Sequence, residues 1–186
     1  MTERKGDWIQ TYKGRQFWPM DPRPEDVNIL DIAHSLSHLC RYTGHCIRFY
    51  SVAEHSVLMS RYVKTNKLWA LLHDATEAYL VDVPRPIKPF LIGYKQAELA
   101  IQRVIATRFN LPPDIPAEVH DADRRILTDE MQQNMAPPPE PWSTVAEPLG
   151  VALKFWTPER AEYEFLEEFC ALSFANDNRP KVTNAA

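Results

Sequence analysis

At 186 residues the chain suits one domain with appendages, and it is long enough to bury a core without disulfide or metal staples. Hydrophobic residues make up 45% of it and charged residues 25%, an ordinary globular balance. The net charge of −4 argues against a polymeric nucleic acid as main partner, which would call for a basic stripe, yet a small anionic substrate needs only a few local cations.

The N-terminus, MTERKGDWIQ, has no apolar stretch of the kind a signal peptide carries. Residues 8–20 read as a short hairpin, WIQTY and RQFWPM joined at Lys13-Gly14. In DPRPED, Pro22 and Pro24 block regular structure. A first helix is expected over about residues 29–39, with Ile29, Ile32, Ala33, Leu36 and Leu39 at helical spacing. A loop over 41–49, marked by Gly44, leads to Ser51. With Glu54 three residues later, Ser51 forms a capping-box start for a second helix. A third helix is expected over about 67–80, on Leu68, Leu71, Leu72 and Ala75. VDVPRPIKP follows, a rigid loop in which three prolines forbid a helix. A long helix over about 93–109 buries Leu99, Ile101, Val104 and Ile105. After the turn LPPDIP, Pro116 suits the first turn of a helix running to about 133. APPPEPW reads as a linker or surface loop. Thr157-Pro158-Glu159 opens a last helix to about 174, and NDNRPKVTNAA reads as a disordered tail.

The expected fold is thus all-α: a bundle of about six helices with a small N-terminal β-hairpin. The division is a hairpin extension over 1–28, a helical domain over 29–175 and a tail over 176–186. No run of about 18 apolar residues suggests a membrane span. Cys40, Cys46 and Cys170 are odd in number and form no C-x-x-C, which fits a reducing, cytoplasmic setting.

Four residues carry the chemistry: His55, His73, Asp74 and Asp123, each expected inside a helix. Imidazole and carboxylate together suit a borderline-to-hard divalent cation. Ionisable groups on helices that pack into a core are costly unless paired or metal-bound. His73 and Asp74 follow the apolar run Leu68-Trp69-Ala70-Leu71-Leu72, so the pair does not read as a solvated face. Taken singly, each has a blander reading, His55 or His73 as a hydrogen-bonded core residue and Asp123 as a surface residue. As an ordered set on three helices they read as a ligand shell. Glu77 lies on the same helical face as His73 and Asp74.

The order His, His-Asp, Asp resembles the HD-domain metal phosphohydrolases, on SVAEHSVLMS, LLHDATEAYLVDVPRPIK and HDADRRI. It is closest to the branch of 5′-deoxynucleotidases and phage deoxynucleoside triphosphate hydrolases. The likeness spans about residues 41–131, roughly half the chain. It implies that His55, His73, Asp74 and Asp123 hold one divalent ion, with Mn2+, Co2+, Zn2+, Mg2+ and Fe2+ all open. It implies that Glu77 handles the water or the leaving group. Arg41 and Lys88 would bind phosphate, Asp82 would meet the sugar 3′-hydroxyl, and Pro86 would line the base or sugar pocket. His45 is a further pocket candidate from its place in the loop.

The expected activity is hydrolysis of the 5′-phosphate of a (deoxy)nucleotide, with deoxynucleoside monophosphates first and release of pyrophosphate or triphosphate from longer nucleotides as the alternative. The partner is then a small-molecule nucleotide, and the resemblance implies a dimer or larger homo-oligomer. A nucleotide-binding sensor without turnover is the alternative of another class. Ala78, where the alarmone hydrolases carry an aspartate after the glutamate, counts against that chemistry. Outside the match, the aromatic residues Trp8, Tyr12, Phe17 and Trp18 read first as packing of the hairpin onto helix 1 and second as a lid that stacks on a base. His34 and His38 stand at i, i+4, a metal-binding spacing, but read first as capping or hydrogen-bonded residues, since no acidic partner for them is evident. His120 lies three residues before Asp123, with no need to be a ligand.

Overall fold

The computed structural model describes residues 3–143 and 146–177. Two short strands, β1 (Ile9–Gln10) and β2 (Gln16–Phe17), pair antiparallel, with Ile9 opposite Phe17 and Gln10 opposite Gln16. Helices follow in the order α1 (Ile29–His38), α2 (Val52–Tyr62), α3 (Lys67–Leu72), α4 (Glu77–Leu80), α5 (Tyr94–Arg108), α6 (Ala117–Asn134) and α7 (Pro158–Asp177). The architecture is all-α with a small N-terminal hairpin, as expected. The last helix runs a turn further than the sequence suggested, and the rest of the expected tail, from residue 178, lies outside the described residues. Among the described residues no helix is long and apolar enough to cross a membrane.

One expected helix is two. The segment over 67–80 breaks between α3 and α4, so His73 and Asp74 sit in a tightened turn and not inside a helix. There the backbone bonds span three residues, Ala75 N–H to the Leu72 carbonyl at 3.0 Å and Glu77 N–H to the Asp74 carbonyl at 2.9 Å. The His73 side chain takes the Ala70 carbonyl at 2.8 Å, so that acceptor is satisfied within the break.

Helix starts follow side-chain chemistry. The Asn28 side chain accepts from the Leu30 N–H at 2.9 Å and caps α1. Ser51 Oγ accepts from the Glu54 N–H at 3.0 Å and caps α2. The second half of that capping box is not made. The Glu54 carboxylate instead accepts the backbone N–H groups of Lys154, Phe155 and Trp156 at 2.6, 2.9 and 2.7 Å, tying the strap before α7 to the start of α2. α3 has no side-chain cap of its own. Glu118 of α6 serves it from outside, accepting from Lys64 N–H at 2.9 Å, Thr65 Oγ1 at 2.5 Å and Asn66 Nδ2 at 2.8 Å.

α2 is the axis of the bundle. It packs against α1, α3, α6 and α7, and every residue from Val52 to Ser60 is buried. Val52, Ala53 and Val57 join a core with Ile32 and Leu36 of α1, Leu71 and Leu72 of α3, Ile101 and Ile105 of α5, and Phe165 of α7. Leu58 and Met59 join a second core with Trp69, Val119, Ala122, Ile126, Leu149 and Leu153. A helix buried on all sides needs partners for its polar residues, and His55 lies in its middle. The hairpin docks by its aromatic residues. Phe17 is fully buried and stacks on Tyr79 at 3.8 Å between ring centroids, worth about 2–3 kcal/mol of apolar burial. Tyr12 stacks on His34 at 3.7 Å, and the Lys13 N–H donates to Asp31 Oδ1 at 2.7 Å. These contacts match the packing reading of the hairpin.

Candidate metal centre

His55 of α2 is fully buried, and its Nδ1 lies 2.7 Å from Glu130 Oε1 on α6. His73, in the turn after α3, points its Nδ1 at the Ala70 carbonyl. An acceptor at Nδ1 fixes each ring and leaves Nε2 to face inward. The two Nε2 atoms lie 3.3 Å apart. Asp74 Oδ2 is 3.3 Å from the Nε2 of His73 and 3.6 Å from that of His55. Asp123 Oδ1 is 3.9 and 3.5 Å from the same two atoms. Donor atoms of His55, His73 and Asp123 all lie within 4.8 Å of one another, a group able to hold a metal ion. Three of the four residues expected as ligands form that group, and Asp74 stands beside its two imidazoles but outside it.

The electrostatics of this cluster are set by burial and by imidazoles and carboxylates held side by side. Burial and Arg41 disfavour a charged His55, but Glu130 and the hydrogen bonds to Asp123 and Glu130 outweigh them and hold its pKa up at about 9. Burial alone would raise the Asp74 carboxyl, yet His73, His55 and Arg41 beside it hold it well below the usual range. Asp123 is likewise lowered, its burial outweighed by the His55 hydrogen bond and by His73. A metal ion bound here displaces the His55 proton.

Cations and carboxylates flank the cluster. Arg41 is buried, with Nη1 3.6 Å from Asp74 Oδ2 and Nη2 3.1 Å from Glu130 Oε2. Its loop is held at both ends. Arg41 N–H bonds the Tyr50 carbonyl at 2.9 Å, and the buried Asn134 side chain clamps the Arg48 backbone with two bonds of 2.9 Å. Inside the loop Tyr42 and Thr43 both take left-handed backbone angles, φ 56 and 54. That conformation is strained for a β-branched residue, and the Tyr42 hydroxyl bond to Glu130 opposes its relaxation. Glu77 is buried, and its Oε2 has no hydrogen-bond partner. Burial, reinforced by Asp74 and Asp82 against Arg41 and Lys88, pushes its carboxyl well up. Lys88 Nζ stands 4.0 Å from Glu77 Oε1 and 3.0 Å from Glu98 Oε1 on α5. Val81 turns the chain at φ 68, ψ 157 and sends half-buried Asp82 back among these groups. Pro86 and His45 are exposed; the His45 ring makes none of the site's hydrogen bonds. His120 is exposed as well.

The residues present fit a divalent cation: two inward-facing imidazole nitrogens and two carboxylates, with the unpartnered buried oxygen Glu77 Oε2 beside them. The sequence reading missed Glu130, Glu98 and Glu162. Glu130 had a signal, since it follows Asp123 by seven residues, two helical turns, and so shares its face. Glu98 and Glu162 had none, because only the fold brings α5 to Lys88 and α7 to His34.

The chain is 44% identical over 124 residues to the uncharacterized protein YfdR of Escherichia coli (strain K12), covering 66% of this chain and 70% of YfdR. It is 36% identical over 129 residues to the uncharacterized protein RCAP_rcc00048 of Rhodobacter capsulatus, covering 63% of this chain and 66% of that one. No protein-family model matches the chain. At that identity, over more than two thirds of YfdR, the chain belongs to the family of YfdR.

Proposed function

We propose that this protein is a divalent-metal-dependent phosphohydrolase of the HD type that removes the 5′-phosphate of a (deoxy)nucleotide, deoxynucleoside monophosphates first. The observation that carries the reading is the convergence of His55, His73, Asp74 and Asp123 beside a buried arginine and an unpartnered buried glutamate. Bound among the first four, a divalent cation supplies positive charge to a phosphoryl oxygen and acidifies a water. Arg41 offers a planar fork already oriented by Glu130, suited to two phosphate oxygens. Lys88 adds a point charge near Glu77. The Glu77 carboxyl moves the proton, taking it from the attacking water or giving it to the leaving oxygen. Asp82 sits at the rim, where a sugar hydroxyl would find an acceptor.

Among the described residues Arg41 and Lys88 pair with carboxylates at the cluster, so both are already engaged. Limited free positive charge favours a monophosphate over a triphosphate, which presents more charge to neutralise. The test is phosphate and pyrophosphate release from each ribo- and deoxynucleotide, as mono- and triphosphate, with Mn2+, Co2+, Zn2+ or Mg2+ and a chelator control. Chelator-sensitive phosphate release from deoxymonophosphates supports the proposal. Release from triphosphates alone moves the substrate to the longer nucleotides. Silence across the panel, with nucleotide binding retained, turns the site into a sensor. The resemblance behind this reading also implies a dimer or larger assembly, which light scattering in solution checks, while the cysteine pattern fits a cytoplasmic setting.

A further inference from the structure

A second group of ligating side chains stands on α1 and α7. The sequence puts His34 and His38 one turn apart, a spacing at which both rings can reach one ion. The fold adds what the sequence lacked, a carboxylate. Glu162, 128 residues beyond His34, brings its Oε2 to 2.9 Å from His34 Nδ1. The two imidazole centroids are 4.2 Å apart, and one donor atom from each of the three residues lies within 4.8 Å of the others.

Neighbouring groups orient both rings. His38 Nδ1 donates to the His34 carbonyl at 2.8 Å, with Ser37 Oγ 3.1 Å away, so its Nε2 keeps a free lone pair. His73 is oriented by a backbone carbonyl in the same way in the first centre. Tyr12 lies flat on His34, 9° from parallel, and fixes the plane of that ring. The side chains of His34 and Glu162 are 30% and 22% exposed, so an ion reaches them from solvent and completes its shell with water.

We propose that His34, His38 and Glu162 form a second divalent-cation site, separate from the His55 centre. Two imidazoles and one carboxylate suit zinc or a similar borderline ion, and they suit magnesium poorly, since it prefers an all-oxygen shell. The bound ion clamps α1 to α7 and, through Tyr12 on His34, steadies the hairpin. Its role is structural and does not rest on the phosphohydrolase reading.

The experiment is zinc titration by calorimetry of the full chain stripped with chelator, as wild type, His38→Gln, His73→Ala/Asp74→Ala, and the triple variant. Two zinc ions per wild-type chain are expected and one per His38→Gln chain. The first-centre double variant should retain one ion, which the triple variant loses or binds at least tenfold more weakly. Zinc should also raise the melting temperature of the double variant and leave that of the triple variant unchanged. His38 is exposed, so its replacement leaves the metal-free fold intact, and matching metal-free melting curves check this. Equal zinc binding by wild type and His38→Gln overturns the proposal and leaves His34–Glu162 as a plain hydrogen bond. If the double variant fails to fold, that wild-type comparison alone decides. None of these readouts measures turnover, so a chain inactive on every nucleotide would still test this site.

Discussion

Glu130→Gln separates orientation of the centre from ligation. Glu130 is fully buried and meets three partners: His55 Nδ1 at 2.7 Å, Arg41 Nη2 at 3.1 Å, and the Tyr42 hydroxyl. Its carboxyl is held down at about 2, since Arg41, His55 and Tyr42 outweigh the effect of burial, so it serves as a full anion at neutral pH. Glutamine keeps the shape and one acceptor oxygen but loses the charge. Deleting an anion that faces a buried arginine costs about 3–5 kcal/mol when nothing replaces it. A retained hydrogen bond lowers that to about 1–3 kcal/mol. The sharper effect falls on His55. If the amide turns its NH2 toward Nδ1, that nitrogen becomes the acceptor and the ring proton moves to Nε2, the atom that would ligate an ion in the proposed centre. Loss of such an orienting partner lowers metal affinity about 10–100-fold, or about 1.4–2.7 kcal/mol. Competition against a chromogenic chelator measures the affinity, and urea denaturation in chelator measures the fold. Wild-type Mn2+ affinity in Glu130→Gln would refute the orienting role, whatever happened to stability.

Glu77→Gln should keep the metal and lower turnover at least about a hundredfold, the scale of a general acid–base group; an unchanged rate removes Glu77 from the mechanism. Val81→Gly should leave stability between neutral and about 2 kcal/mol higher. Relief of its strained backbone, about 1–3 kcal/mol, exceeds or matches the entropy of the added glycine, and Val81 is 52% exposed with little packing to lose. Because the same turn places Asp82, turnover should fall in that variant, and a stability loss beyond about 1 kcal/mol in urea would contradict the strain. Hydrogen bonds from Thr65 and Lys64 hold the Glu118 carboxyl at about 2 against an ordinary 4.5. A lowered carboxyl contributes stability above about pH 4.5 and loses it as pH falls toward 2. Glu118→Gln should therefore cost less than about 1 kcal/mol at pH 7, given its exposure, with the gap closing below pH 4.5; a gap constant with pH would sink the cap.

What the sequence made legible is what repeats locally. Helix spacing located α1, α5 and α6 to within a residue or so, because an apolar face must recur every three to four residues wherever the helix packs. His55, His73, Asp74 and Asp123 stood out because charged groups behind apolar runs need a partner. The break between α3 and α4 was not legible. The apolar spacing from Leu68 to Leu80 runs on across His73, Asp74 and Thr76, which are only weak helix formers, and the tightened turn there comes with a His73 side-chain bond to Ala70 that periodicity does not report. The capping box shows the same limit. Ser51 and Glu54 satisfy the local pattern, but Glu54 gains three backbone donors from residues 154–156 by turning away from its own helix. A buried carboxylate goes where the most unsatisfied N–H groups are, and those belong to a segment 100 residues distant. Glu130, fully buried, and the half-buried Glu98 and Glu162 are likewise engaged from other elements. Each meets a cation or imidazole that the fold supplies from another element: the residues of the candidate centre stand out along the chain, whereas the pairing of Glu130 with His55, of Glu98 with Lys88 and of Glu162 with His34 shows only in the bundle.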